Sequence, residues 1–503
     1  MTDHALRVLR NNPCLAELAA HLFNFDIGRA AHGHVEEVRL ASGGPLDAVA
    51  GDDTGGTYFV CADGSMLYAD SEGSAGIVGS SVDEALEIMI GLEEEEDGDE
   101  GHDEEEGAGD VGAEPSRSRD LEVARTELRA ALGFPERSPA ELEAMLRAAL
   151  LRTEPGFLLL NGAEHNAYRL LDSFPRPPLW EPVLAQGRAD LTLLRAGDAV
   201  AWDAVAEDPV RRRLALRAAQ FDRAEGDLDL LRHLLRHETR SSMTEELRLA
   251  AVLVGLRGDV DDLPLLHEVR ETDFDTACAL GGMPEPGASP DELRDWAQGL
   301  DDSLLGTDPA DEPVSTWTDL ARDQGMTELA RVTLIRELDA IVMDQSRLRR
   351  PDAQRALTTA PVRALARDFE ELGDRTQALR AQRLYAALQE KAWDRVSARL
   401  DQARLEREDG QLKQAVQTLA AVREILAAPG DDSLRHWEGV NLGRFTAEEH
   451  YRLTQALIEA HLPDEARSLL PAADAILGEL SENAANGARR LAEETTALVR
   501  ELS

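Results

Sequence analysis

The segment Glu271 to Gly287, ETDFDTACALGGMPEPG, holds the densest grouping of potentially reactive side chains in the chain. Glu271, Asp273 and Asp275 precede Cys278, and His267 lies just upstream. Carboxylates beside a thiol, with an imidazole in reach, are the parts of general acid–base or nucleophilic catalysis. The same acids also suit a plainer role, because an Asp at a helix start accepts the free backbone N–H groups there. A loop inserted between blocks of helix is therefore the expectation. An enzyme with a site near Asp273–Cys278 is the alternative. A second set is Asp229, His233 and His237, spaced by four on one helix. That spacing gives one face, but a straight helix spreads the three groups over two turns, too far to close around one ion. A solvated face is expected there, with no metal and no cofactor. His102 stands alone among flexible acids, and His32 and His34 flank Gly33 in a loop. No GxxxxGK[ST], HExxH, paired CxxC or GxSxG occurs, so a phosphate loop, a zinc site and a hydrolase triad have no local support.

A third set of chemistry-bearing residues is a run of turn acids, and the strands between them must position it. Gly51-Asp52-Asp53-Thr54-Gly55-Gly56 is a turn, Thr57–Cys61 a strand, and Asp63-Gly64 a hairpin signal. Met66–Ala69 returns, Asp70-Ser71-Glu72-Gly73 turns again, and Ala75–Val78 makes a third strand. Ser81, with Glu84 three residues on, opens a helix. Asp52, Asp53, Asp63, Asp70 and Glu72 thus sit at strand ends, where a rigid sheet presents loop residues to a partner. This order, with GTYFVC, GSMLYADSEG and SSVDEALEIMIG, resembles the SUKH superfamily over roughly the first 92 residues. The matching positions are Gly55, Gly56, Tyr58, Tyr68, Asp70, Gly73, Ser81, Glu84 and Leu86. That family includes bacterial immunity proteins of polymorphic toxin systems. The resemblance implies an immunity-like role, blocking a toxin domain that is often basic.

Beyond the sheet the chain reads as helix after helix. Leu121–Leu132, Ala140–Leu151 and Ala163–Leu171 have apolar residues at spacings of three and four. Arg213-Leu214-Ala215 recurs as Arg248-Leu249-Ala250, and Leu228, Leu230 and Leu231 recur as Leu263, Leu265 and Leu266. A period near 35 residues (roughly the length of two short helices) marks a solenoid of helical hairpins. This stretch resembles degenerate HEAT repeats. Further on, Gly373-x4-Ala378, Gly410-x4-Ala415 and His461-x4-Ala466 occupy equivalent places, with Leu365-Ala366-x2-Phe369 upstream of the first. Residues 361–480 resemble about three tetratricopeptide repeats, and a helix from Asn483 to Leu502 caps the stack. The first helices of these repeats carry Arg367, Glu371, Arg404, Arg407 and Arg452 near their ends, a mixed-charge surface suited to a polar partner segment.

Composition narrows the partner. Acids number 97 against 53 Lys and Arg, for a net charge of −44. Such a surface repels nucleic-acid phosphate and anionic lipid and favours a basic protein or peptide. Eleven of the acids lie in Glu93–Glu106, so −44 + 11 leaves −33 for the remainder, which is acidic in its own right. The three cysteines are widely spaced, as in a reducing compartment. No apolar run is long enough to span a bilayer, and a cytoplasmic protein is expected. The expected fold is mainly α. A small α+β domain (residues 1–92) and an acidic disordered linker (93–118) precede an α-solenoid of hairpin repeats. The solenoid is HEAT-like over 119–312 and tetratricopeptide-like over 313–503. The expected function is a non-enzymatic interaction scaffold or regulator.

Overall fold

The strand Thr57–Cys61 is apolar on both faces, so its sheet must be covered twice. In the computed structural model, which describes residues 4–92, 114–197, 199–241, 243–349, 358–428 and 431–502, it is. Strands β1 (Val38–Leu40), β2 (Leu46–Gly51), β3 (Thr57–Cys61), β4 (Met66–Ala69) and β5 (Ser74–Gly79) precede β6 (Leu159–Asn161) and β7 (Arg169–Leu170). The main sheet runs β2-β3-β4-β5-β7, antiparallel except that β7 lies parallel to β5. A separate antiparallel pair joins β1 to β6. Helices α1 (His4–Asn11), α2 (Pro13–Phe23), α3 (Val82–Gly91) and α4 (Glu114–Leu132) cover one face. There Leu9, Phe23, Leu86 and Leu128 pack on Tyr58 and Met66. On the other face Phe59, Leu67 and Ile77 meet Ala149 of α5 (Pro139–Leu151), together with Leu159 and Tyr168.

The sheet region therefore draws on residues out to 170. It does not close at residue 92, because helices before that point supply only one cover. The segment 163–171, expected to be helical, is instead a turn followed by β7. The open edge of β5 outweighs local helix propensity and takes up Arg169 and Leu170. Most of the expected acidic linker, residues 93–113, lies outside the described residues, while Glu114–Ser118 belong to the backbone of α4. Local signals held elsewhere. The Ser81 hydroxyl accepts from Glu84 N at 3.1 Å, although the Glu84 carboxylate reaches back to Ser80 N rather than to Ser81. Ser138 starts α5 with a complete capping box.

The chain is mainly α, with its small α+β part at the N-terminus. The described residues form twenty-two α-helices, seven short 3-10 helices and seven strands. They cluster into two compact units, Met1–Ala163 with Ala167–Thr333, and Glu164–Asn166 with Leu334–Ser503. The first unit continues through α6 (Trp180–Arg195), α7 (Ala199–Glu207), α8 (Pro209–Phe221), α9 (Leu228–Glu238), α10 (Glu245–Gly255) and α11 (Leu263–Arg270). After these come α12 (Phe274–Ala279), α13 (Pro290–Leu304) and α14 (Val314–Asp323), and α15 (Thr327–Met343) spans the division. The 35-residue repeat corresponds to the pairs α8–α9 and α10–α11. Leu214 and Leu249 are both fully buried, as are Ala215 and Ala250.

The second unit is built from α16 (Ala360–Glu371), α17 (Arg375–Ala387), α18 (Ala392–Glu408), α19 (Leu412–Ala427), α20 (Asn441–Glu459), α21 (Pro463–Glu479) and α22 (Glu482–Glu501). Successive pairs form hairpins, and α22 packs on α20 and α21. Gly373, Gly410 and His461 all hold left-handed φ, at 73°, 76° and 59°. Each is followed by the same closing bond, in which Asp374, Gln411 and Leu462 donate to the carbonyls of Phe369, Glu406 and Leu457. Ala378, Ala415 and Ala466 are all fully buried. The three turns are structurally one turn, as their spacing implies.

Candidate interaction site

The register of the meander sorts the five turn acids. Gly51 pairs with Thr57, Thr57 with Ala69, and Ala69 with Ala75. The turns carrying Asp52, Asp53, Asp70 and Glu72 therefore share one end of the sheet, and Asp63 lies at the other. Asp52 is almost wholly enclosed. Its carboxylate accepts from Gly56 N at 2.7 Å, Thr54 N at 2.9 Å and the Tyr68 hydroxyl at 2.5 Å. Burial raises its pKa, but these hydrogen bonds outweigh that and hold it below the ordinary range. Asp70 accepts from Glu72 N and Ser74 N, at 2.9 and 2.8 Å. Asp63 accepts from Ser65 N at 2.9 Å and pairs with Arg152 at 3.0 Å. These three fasten their own turns. Asp53 and Glu72 are exposed, and among the described residues their side chains have no hydrogen bond or ion pair.

Beside this rim lies a cleft of about 490 Å³ lined by Asp26, Arg29, His32, His34, Asp52 and the glycines between them. Arg29 donates to the Asp52 carbonyl at 2.5 Å and sits 3.4 Å from the Asp26 carboxylate. The ring of His34 is held at both nitrogens, Nδ1 3.1 Å from Thr57 Oγ1 and Nε2 3.1 Å from the Tyr168 hydroxyl. The Tyr168 hydroxyl donates to Glu36. Because that proton goes to Glu36, the Tyr168 oxygen accepts from His34 Nε2–H. Burial lowers the His34 pKa, against the pull of Glu36, Asp70 and Asp52. His34 is thus a strut that braces the loop. The His-Gly-His spelling was visible in the sequence, but its key partner stands 134 residues away.

The mixed-charge set in the second unit is brought together differently from the expectation. Arg404 of α18 pairs with Glu370 of α16 at 2.9 Å, and Arg407 of α18 pairs with Glu449 of α20 at 2.7 Å. These two arginines clamp the first helices of successive hairpins to one another, and Arg407 is largely enclosed. Arg367 and Arg452 remain well exposed, each beside a Glu one turn away on its own helix: Glu371 at 3.5 Å and Glu448 at 3.1 Å.

Two residues of the enzyme alternative, His267 and Asp273, have structural bonds. His267 Nε2 sits 2.9 Å from the Pro284 carbonyl, Asp273 caps α12 through Thr276 N at 2.8 Å, and Cys278 is exposed. His237 Nδ1 bonds the His233 carbonyl at 3.0 Å, and the two rings lie 4.6 Å apart. Asp229 turns instead to Arg232 at 3.0 Å. Among the described residues, no group of three or more His, Cys, Asp or Glu side chains is placed to hold a metal ion, and no helix is long and apolar enough to cross a membrane. Comparison with protein-family models, with curated proteins and with solved structures finds no match.

Proposed function

We propose that this chain is a non-enzymatic regulator or scaffold that holds a basic protein partner. One observation carries the reading: the arginines that tie helices together are taken up by the chain's own acids, and acids remain in excess. Arg195, Arg211, Arg212, Arg217, Arg232, Arg404 and Arg407 are all committed to carboxylates of the same chain. With 97 acids and 53 Lys and Arg, carboxylates are left over, and Asp53 and Glu72 at the sheet end are two of them. A surface of that kind speeds encounter with a cationic partner and disfavours polyanions. The resemblance to immunity proteins adds a specific form of the reading, in which the partner is a basic toxin domain. The paired hairpins of the second unit suit a scaffold that holds a protein along several helices.

The test uses the full chain as bait in a lysate of its native host, at low salt and again at about 1 M, where screening cuts the reach of charge to about 3 Å. The expected result is retention of one or a few basic proteins at low salt and their release at high salt. Asp53→Ser with Glu72→Ser should reduce that retention while leaving thermal unfolding unchanged. Asp52→Ser should lower thermal stability, since it strips the turn of its acceptor. Recovery of no specific protein at either salt would overturn the reading, as would a small metabolite co-purifying with the chain.

A further inference from the structure

Phe274 has 80% of its surface exposed, in a chain whose aromatic content is only 4%. It opens α12, within the segment that interrupts the hairpin repeats. That segment is held firmly. Leu280 and Met283 are buried in the core of the first unit, His267 reaches the Pro284 carbonyl at 2.9 Å, and Trp296 Nε1 donates to the Gly281 carbonyl at 3.2 Å. The segment therefore buries its Leu and Met and leaves its larger apolar ring in solvent. Burial of that ring against a partner would be favourable. Its neighbours Glu271 and Asp275 are exposed too, whereas the Asp273 carboxylate caps the helix. Glu271, Asp273 and Asp275 surround Phe274 in sequence, and residues 271–293 contain six acids and no Lys or Arg.

We infer that Phe274 is an anchor that inserts into an apolar socket on a basic protein surface, with Glu271 and Asp275 engaging cations at the socket rim. An aromatic centre ringed by polar contacts that exclude water is the usual anatomy of a binding hot spot, and the carboxylates select a cationic rim. The inference rests on the basic-partner reading and adds where the partner docks and what surface it must offer.

The probe is a display library of random peptides, selected on the full chain. Wild type should enrich peptides that combine Arg or Lys with an aromatic or branched apolar residue. Phe274→Ser should weaken a selected peptide about thirty-fold, the loss typical of a hot-spot side chain. Phe274→Leu should retain most of the affinity, and Glu271→Gln with Asp275→Asn should reduce it and its salt dependence. Thermal unfolding should be unchanged in all three variants. Basic peptides that bind Phe274→Ser as tightly as wild type would overturn the anchor and leave the basic-partner reading intact. Failure of wild type to enrich basic peptides would overturn both. Concentration-dependent self-association abolished by Phe274→Ser would make a second copy of the chain the occupant, and would also overturn the inference.

Discussion

Arg195 of α6 grips the carboxylate of Asp227 with two hydrogen bonds, 3.0 and 2.8 Å, and Arg232 of α9 grips Asp262 one hairpin further on at 2.6 and 3.0 Å. In each case the acid precedes a helix of one hairpin and the arginine belongs to an earlier helix, so the pair staples adjacent layers. Both carboxylates are nearly enclosed, and their arginines are about a quarter exposed. Removing one partner from such a pair leaves a buried charge unmatched. Arg232→Ala should cost about 3 kcal/mol in urea unfolding, because it strands the enclosed Asp262 carboxylate, whereas Arg232 keeps Asp229 and Asp259 when Asp262 is removed. The double variant with Asp262→Ala should cost less than the two single losses added together. Additive losses would show that the two side chains do not act as a pair.

His461 holds the left-handed position that glycine holds at 373 and 410. A side chain there meets its own backbone, at a cost of roughly 1 kcal/mol. His461→Gly should stabilise the protein by about that amount, and Gly410→His should destabilise it similarly, both read from denaturant midpoints. If His461→Gly destabilised the chain, the histidine would have a tertiary role that its turn geometry does not account for.

His450 is fully buried on α20, and burial pushes its pKa down to about 4. Its Nδ1 faces the Thr446 carbonyl at 2.8 Å, and among the described residues Nε2 has no hydrogen-bond partner. The unfolded chain, with an ordinary imidazole near 6.5, binds the proton more readily than the folded one. Stability from this group is therefore whole above pH 6.5 and drains away as pH falls from 6.5 towards 4. Between neutral pH and about pH 5 the loss should be about 2 kcal/mol. His450→Leu should flatten that part of the profile. A wild-type profile already flat over this range would contradict the burial argument.

Arg407 and Arg452 look alike in sequence, and their tertiary settings separate them. Arg407 faces Glu449, whose pKa burial raises despite the nearby guanidinium. Arg407→Ala should cost about 3 kcal/mol, because it isolates a buried carboxylate. Arg452→Ala, which removes a well-exposed arginine one turn from Glu448 on the same helix, should cost under about 0.5 kcal/mol. Thermal melts of the two variants at equal protein concentration make the comparison. Equal losses would show that the enclosed pair is no stronger than the surface one.

Much of the local structure was legible because local rules decide it. Asp-Gly turns, the Ser81 and Ser138 caps and the three equivalent hairpin turns depend on bonds between residues a few positions apart. The apolar run Thr57–Cys61 was legible as a strand, although nothing near it said what covers its two faces. The composition fixed the excess of acid.

Only the tertiary structure decided the rest. It turned Arg169 and Leu170 into a strand, because the edge of β5 offers hydrogen bonds that no isolated helix there can match. It joined His34 to Tyr168 and sorted the turn acids into those that fasten turns and those left facing solvent. It also chose which arginines meet which acids. A sequence states how many charges there are, but pairing depends on distances set by packing between elements far apart in the chain, and burial then decides how much each pair matters.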